Sequence, residues 1–193
     1  MVHAACHAAG VLHSTAVVAS VSVPSAVTIT VADAADIPEI QRLADQIWRR
    51  HYPGIISNAQ IDYMLATGYS NEALTDILRT LDGGLALAHR EGRAVGFGAW
   101  RPVTRSREMK LEKLYVLPEH HRSGIGRALI EHVVARAREG RYAVLALNVN
   151  RGNAAAIAAY ERCGFRIRER GDFPIGNGFV MQDYVMVRDL ENA

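Results

Sequence analysis

The stretch 120–129, HHRSGIGRAL, sets Gly124 and Gly126 one residue apart between Arg122 and Arg127, where a helix-forming run begins. First-turn N–H groups of a helix lack internal partners and lie at the positive end of its dipole. Phosphate oxygens satisfy them. Glycine lets an anion reach the backbone with no Cβ in the way, and arginine adds a fixed charge and forked donors. A second pair, Asn153 and Tyr160, lies seven residues apart. At about 3.6 residues per turn both fall on nearly one helix face. A phenol, with pKa near ~10, is a protonated donor at neutral pH and is equipped for general-acid work. Taken alone, the tyrosine reads more simply as an aromatic packed beside Phe165, and Asn153 stands where a helix N-cap belongs.

These residues need strands and helices to hold them. VTITVA (27–32) alternates and is β-branched, as a strand would. Asp36 reads as the cap of a helix carrying Ile37, Ile40, Leu43, Ala44, Ile47 and Trp48 at helical spacing, with Pro38 in its first turn. SNAQIDYMLATG, ending at Gly68, offers a shorter helix, and the run 69–84 a third. LALAHR, a turn at Glu91-Gly92-Arg93 and AVGFGAWRPV read as a hairpin. The run 107–117 is a further strand closed by Pro118, followed by a helix from Gly124 to Glu139. YAVLALNVN (142–150) reads as a buried strand and NAAAIAAYERC (153–163) as a helix stopped by Gly164. FRIRER and FVMQDYVMVRDL complete the set as two strands joined by a Gly/Pro-rich turn. The order β, helices, β-β-β, α, β, α, β-β predicts an α/β (α+β) domain with a mixed sheet and helices on its faces.

The glycine loop alone is a weak signal. No GK[ST] follows it, so it is not a Walker loop. Leu129 stands where a dinucleotide fingerprint needs a third glycine. Together with LEKLYVLPEHH upstream and NAAAIAAYERCGF downstream, however, residues 111–165 resemble motifs A and B of the GNAT superfamily of N-acetyltransferases. The family's second pattern, Asn-x-x-Ala-x-x-x-Tyr-x-x-x-Gly-Phe, is complete in Asn153, Ala156, Tyr160, Gly164 and Phe165. In its first pattern, Gln/Arg-x-x-Gly-x-Gly/Ala, both glycines match, but the leading position is His121. A neutral imidazole donates one hydrogen bond and carries no charge near neutrality, so diphosphate binding should lean on backbone N–H groups and on Arg122.

The resemblance implies a mostly antiparallel sheet of about seven strands, splayed between the strands at 111–117 and 142–150. It implies acetyl-CoA as cosubstrate, with the diphosphate on the loop His121, Arg122, Ser123, Gly124, Ile125, Gly126 and Arg127, and the pantetheine arm along the backbone of Leu114, Tyr115 and Val116. Asn153 and Tyr160 would complete the cofactor contacts. Tyr160 would act as general acid on the departing thiolate, after direct attack by a primary amine through a tetrahedral intermediate. Glu112, mid-strand, is the leading proton acceptor, against a plain ion pair with Lys110 or Lys113. Asn148, Asp183 and Tyr184 are further cleft residues with a structural reading ahead of a chemical one. His51, Tyr52, Asp62, Tyr63 and Tyr69 fall in the region that shapes the acceptor pocket in this family. WRRHYPGIIS and GNGFVMQDYVM resemble the small-molecule branch that includes polyamine enzymes. The alternatives are protein or peptide N-acetylation, a non-catalytic acyl-CoA sensor, and a nucleotide or phosphosugar module that leaves 153–165 unexplained.

Composition is compatible with this. The chain has 193 residues, 49% hydrophobic and 22% charged, enough for one core. A formal charge of +2 is too small to indicate nucleic acid or an anionic membrane. No apolar run reaches the ~18 residues of a membrane span. Cys6 and Cys163 form no CxxC, and no second ligand pair accompanies Cys6 and its neighbouring histidines, so no metal is expected. The cysteine usage fits a reducing, cytoplasmic setting, and a homodimer is common among GNAT proteins. Residues 1–26, Ala/Val/Ser-rich and without the cationic start of a secretory signal, read as a poorly ordered extension before a domain at 27–193.

Overall fold

Alternating β-branched residues and well-capped amphipathic helices produce seven strands and five helices in a computed structural model that describes residues 26–191. The expected extension, apart from Ala26, and with it Cys6, lies outside the described residues. Strand β1 (Thr28–Ala32) leads through a 3-10 turn into α1 (Ile37–His51), α2 (Asn58–Gly68) and α3 (Asn71–Arg79). Strands β2 (Gly84–Arg90), β3 (Arg93–Pro102) and β4 (Glu108–Val116) follow as a meander. Then come α4 (Ile125–Glu139), β5 (Val144–Asn150), α5 (Ala154–Arg162), β6 (Arg166–Gly176) and β7 (Phe179–Asp189).

Local chemistry explains most boundaries. Asp36 stands at the N-cap of α1, as the sequence suggests, but its side chain makes no capping bond to that helix. It serves the preceding 3-10 turn: Asp33 Oδ1 accepts from the Ala35 N–H at 2.7 Å, and Asp36 Oδ2 accepts from the Asp33 N–H at 3.0 Å. The reciprocal pair satisfies two orphan donors one turn earlier than expected. Ser57 and Ser70 cap α2 and α3 by accepting from Gln60 and Ala73. Ser70→Ala should therefore cost about 1 kcal/mol, read as a lower denaturant midpoint with an unchanged m-value. Glu91 and Gly92 both hold positive φ, the two-residue turn that suits a twisted hairpin. Asn177 and Gly178 do the same between β6 and β7. Strand β6 consequently runs through Pro174 to Gly176, where the sequence suggested a loop. It lies at the edge of the sheet, where a residue without an N–H is tolerated.

The sheet order is β1-β2-β3-β4-β5-β7-β6, a mixed sheet with a single parallel pair, as expected. One face carries α4, whose Ile125, Leu129, Ile130, Val133, Val134 and Ala137 are buried. The other carries α1 and α3 over β2 to β4. The core spans both faces, from Ile40 and Leu43 through Phe97 to Leu145 and Met186. Parallel strands β4 and β5 pair only from Glu108↔Val144 to Leu111↔Leu147. Beyond that point Glu112–Val116 keep β3 alone as neighbour, while Asn148–Asn150 stay with β7. The sheet opens there, as the resemblance implied.

Candidate functional site

The carboxyl ends of parallel neighbours are where an open α/β sheet leaves a crevice. Here that crevice lies between β4 and β5. Its β4 wall is the unpaired edge of Leu114–Val116, which offers backbone groups in the manner of an edge strand. The Tyr115 side chain is half-buried, with its ring among Trp48, Tyr69 and Phe97.

The glycine loop sits at the end of β4. Pro118–His120 form a 3-10 turn, Arg122 adopts φ 59°, and Gly124 follows at φ 85° as the N-cap of α4. No side chain caps this helix, and its first internal bond is Ala128 N–H to Gly124 C=O. The N–H groups of Ile125, Gly126 and Arg127 are therefore left for an external acceptor. A Cβ built at Gly124 or Gly126 meets nothing within 4 Å, so the space before the helix is open. Arg122 and Arg127 are exposed beside it. Ser123 is exposed too, its Oγ–H donating to His120 C=O at 2.6 Å. These residues fit a diphosphate: open backbone, unpaired amides, a helix dipole and two cations.

His121 does something the sequence did not reveal. Its Nε2–H donates to the carbonyl of Val116 at 2.9 Å, tying the loop to the strand end. The imidazole is spent on the backbone, not aimed at an anion. His121→Arg should leave coenzyme A affinity unchanged or improve it, since it adds a fixed charge next to the cradle. Isothermal titration checks this, and a large loss would assign the histidine a specific role.

Helix α5 carries Asn153 at its N-cap and Tyr160 in its last turn. Asn153 is 8% exposed and caps the helix, its Oδ1 accepting from the Ala156 N–H at 3.2 Å. Its Nδ2 donates to His51 Nε2 at 3.0 Å, which keeps that imidazole neutral. Burial and the nearby His121 lower the His51 pKa in the same direction. Both ends of the Asn153 side chain are thus engaged. Tyr160 packs its ring edge-on to Phe165, with centroids 5.7 Å apart. Among the described residues nothing hydrogen-bonds its hydroxyl. Burial, with smaller effects from Tyr52 and Cys163, raises its pKa well above that of a free phenol. Helix α5 as a whole contains no fully buried side chain.

The remaining candidates divide. Glu112 occupies a bulge, because Trp100 pairs with Leu111 and Ala99 with Lys113. Its carboxylate lies 2.8 Å from Arg101 Nε, so its ion pair is with Arg101 and not with Lys110 or Lys113, although it still acts electrostatically on Lys113. Tyr69 is a core residue whose hydroxyl accepts from Trp48 Nε1 at 3.0 Å. The cation over its ring is the chain's own Lys113, 4.7 Å from the centroid. Asp62 pairs with Arg49 on the surface. Tyr63 donates to Ile175 C=O at 2.7 Å and so holds α2 against the β6–β7 hairpin. Tyr52 lies nearer the opening: its hydroxyl is 3.3 Å from that of Tyr115, and burial raises its pKa. Sequence reasoning missed Arg101 and the inward course of Lys113. The alternation Glu108, Lys110, Glu112 against buried Met109 and Leu111 was the available signal for a charged face on β4.

The profile of the acetyltransferase (GNAT) family matches residues 42–165. An uncharacterized N-acetyltransferase of Mycobacterium tuberculosis is 35% identical over 130 residues, 67% of this chain and 80% of that protein. A ribosomal-protein-alanine N-acetyltransferase of Escherichia coli is 45% identical over 58 residues, 30% of this chain and 39% of that one. The PaiA N-acetyltransferase of Thermoplasma acidophilum, crystallised in complex with coenzyme A, superimposes with a TM-score of 0.72 at 23% identity, over 85% of this chain and 99% of that one.

Proposed function

The chain belongs to the GNAT family of acetyltransferases, and from that premise we propose that it moves the acetyl group of acetyl-CoA onto the primary amine of a small molecule. The observation that carries this reading is the opening of the sheet where β4 and β5 stop pairing, just before the uncapped, cation-flanked start of α4, and the Tyr160 phenol on α5 supports it. The complex of the structurally similar PaiA enzyme with coenzyme A supports the choice of cosubstrate.

In this arrangement the amides of Ile125, Gly126 and Arg127 hold the diphosphate, with Arg122 and Arg127 adding charge. The free groups of Leu114–Val116 bond the pantetheine arm as an added strand. One of their amides stabilises the oxyanion that forms when the neutral amine attacks the thioester; the nitrogen loses a proton to water as the C–N bond forms, and the C–S bond breaks to release coenzyme A thiolate. Tyr160 faces the sulfur. Because burial raises its pKa, complete proton transfer to a thiolate whose acid has pKa near ~8.5 runs uphill. The phenol therefore acts as a hydrogen-bond donor to the sulfur while charge develops there, and it stays protonated over the working pH range.

Closure of the acceptor side supports a small substrate. The β6–β7 hairpin is held onto α2 by Tyr63 and by Gln60, whose Nε2 lies 3.2 Å from Met181 Sδ. A peptide N-terminus is the second reading, favoured by the 45% identity of a 58-residue segment to the ribosomal-protein-alanine enzyme. Release of free coenzyme A thiol, measured with acetyl-CoA and a panel of amines, amino acids and short peptides, tests both. Tight coenzyme A binding with no turnover on any acceptor would replace the enzyme by a sensor.

A further inference from the structure

Three consecutive residues at the end of α1 bond to both sides of the divided sheet. Arg50 Nη1 stands 3.6 Å from Glu119 Oε2, in the turn that follows β4. The Tyr52 hydroxyl is 3.3 Å from that of Tyr115, on β4 itself. Between them, His51 bonds the other side: its Nε2 accepts from Asn153 Nδ2 at 3.0 Å, at the N-cap of α5. That cap follows β5, which pairs with β4 no further than Leu147. The chain beyond α1 keeps to the same place. The N–H groups of Ile55 and Ile56 donate to Tyr52 C=O at 2.9 and 3.2 Å, and a Cβ at Gly152, between β5 and α5, would lie 3.7 Å from Ile55 Cγ2.

The direction of the His51 bond is fixed by its partner. Asn153 Oδ1 already accepts from the Ala156 N–H, so the amide nitrogen is what meets the imidazole. An amide N–H needs an acceptor, so His51 Nε2 carries no proton and the neutral ring holds its proton on Nδ1. The Tyr52 ring stands edge-on to this imidazole, with centroids 4.9 Å apart, and His121 acts on it from the glycine loop. Burial first, and His121 second, hold the His51 pKa below its ordinary value and so keep the acceptor available at neutral pH. Asn153 is braced in turn. Its N–H donates to Asn150 C=O at 2.9 Å, Asn150 Oδ1 accepts from the Gly152 N–H at 2.9 Å, and Asn150 stands opposite Asp183 of β7.

We propose that the last turn of α1 is a strap across the divided sheet and that His51 is a positioning residue, which by holding Asn153 sets α5, and Tyr160 with it, relative to the β4 edge. This rests on the acetyltransfer reading above. The strap serves the chemical step more than coenzyme A binding, because the first-turn amides of α4 are not among its contacts. Protonation would put a second N–H on the ring where Asn153 needs an acceptor, so the strap opens in acid. Because the folded pKa is the lower one, the bond is fully present above ~6.5 and is lost as pH falls through the His51 pKa.

His51→Leu and His51→Gln test this. Leucine offers no acceptor, whereas glutamine Oε1 replaces Nε2 by an acceptor that does not titrate. Hydrogen–deuterium exchange without coenzyme A should show the α5 amides of His51→Leu exchanging about fivefold faster than those of the parent, the equivalent of one neutral hydrogen bond. His51→Gln should exchange like the parent near neutral pH. With the acceptor that the amine panel returns, kcat should fall about tenfold in His51→Leu and recover in His51→Gln, while the coenzyme A Kd stays within about twofold. Between about pH 7.5 and about pH 4.5 the ratio of parent to His51→Gln kcat should fall about threefold or more, acceptor ionisation being common to both proteins. Thermal melts at each pH confirm the fold. The pH comparison needs only the parent and the glutamine variant, so it decides the matter even where His51→Leu does not fold. Parent-like exchange and kcat in His51→Leu overturn the proposal, as does a ratio that stays constant with pH. Equal losses of kcat and coenzyme A affinity in His51→Leu overturn the positioning role and leave a general brace of the fold. Coenzyme A failing to bind the parent would instead overturn the acetyltransfer reading, with the exchange comparison still deciding the strap.

Discussion

Replacing Tyr160 by Phe is expected to lower kcat by about a hundredfold or more while leaving coenzyme A affinity and melting temperature close to those of the parent. The removed hydroxyl has no partner among the described residues, so the folded chain loses no internal bond. The ring and its edge-on contact with Phe165 remain. What disappears is a donor positioned against charge developing on sulfur, and such donors contribute about 10²–10⁴-fold. Steady-state kinetics with any active acceptor, alongside coenzyme A titration, separates the two effects. A parent-like kcat in Tyr160→Phe would remove the phenol from the mechanism and leave it as a packing residue. The pH profile carries a second signature. With the Tyr160 pKa raised by burial, no loss of kcat from phenol ionisation is expected below about pH 10.

Gly126→Val is the complementary experiment. A Cβ at this position meets nothing within 4 Å, so the substituted chain should fold with an equal or slightly raised melting temperature, glycine being a poor helix residue. The branched side chain would, however, stand in front of the first-turn amides of α4. Displacing two charge-assisted bonds at ~1.5 kcal/mol each removes about 3 kcal/mol, roughly a hundredfold in Kd. Gly126→Ala should lie between. Calorimetry with coenzyme A reads the loss, and a thermal melt shows that the fold is intact. Undiminished affinity in Gly126→Val would mean that the diphosphate does not dock on this helix.

The parts of the site that depend on near neighbours were legible in the sequence. The glycine loop and the α5 motif are each contained in a dozen residues, and the structure puts the first at the N-terminus of α4 and the second on α5 and its N-cap. The splay between β4 and β5 came from the family resemblance and is the observed pairing. Errors arose where one local rule masked another. Asp36 looked like a cap because it precedes Pro38, but its carboxylate serves Asp33 instead. Gly171, Pro174 and Gly176 suggested a loop, yet the Asn177-Gly178 turn lies beyond them and lets the edge strand continue.

What could not be read locally was partner choice across the sheet. The partner of Glu112 is Arg101, one strand away, because a bulge shifts the register by one residue. That same bulge sends Lys113 toward Tyr69, where alternation alone would have put it on the opposite face. Two of the aromatic groups in the region that shapes the acceptor pocket in this family, Tyr52 and Tyr69, are instead committed to Trp48, Tyr115 and Lys113.

One consequence concerns α5. A helix with no wholly enclosed side chain, whose Ala156, Ile157 and Tyr160 only partly bury themselves against the core, gains less from the apolar interior than α4 does. Segments of that kind open locally at a small fraction of the global unfolding free energy. Its backbone amides should trade protons for deuterons sooner than those of α4, and slow down once coenzyme A occupies the neighbouring crevice. The residue that meets the sulfur would then be steadied by the molecule it serves.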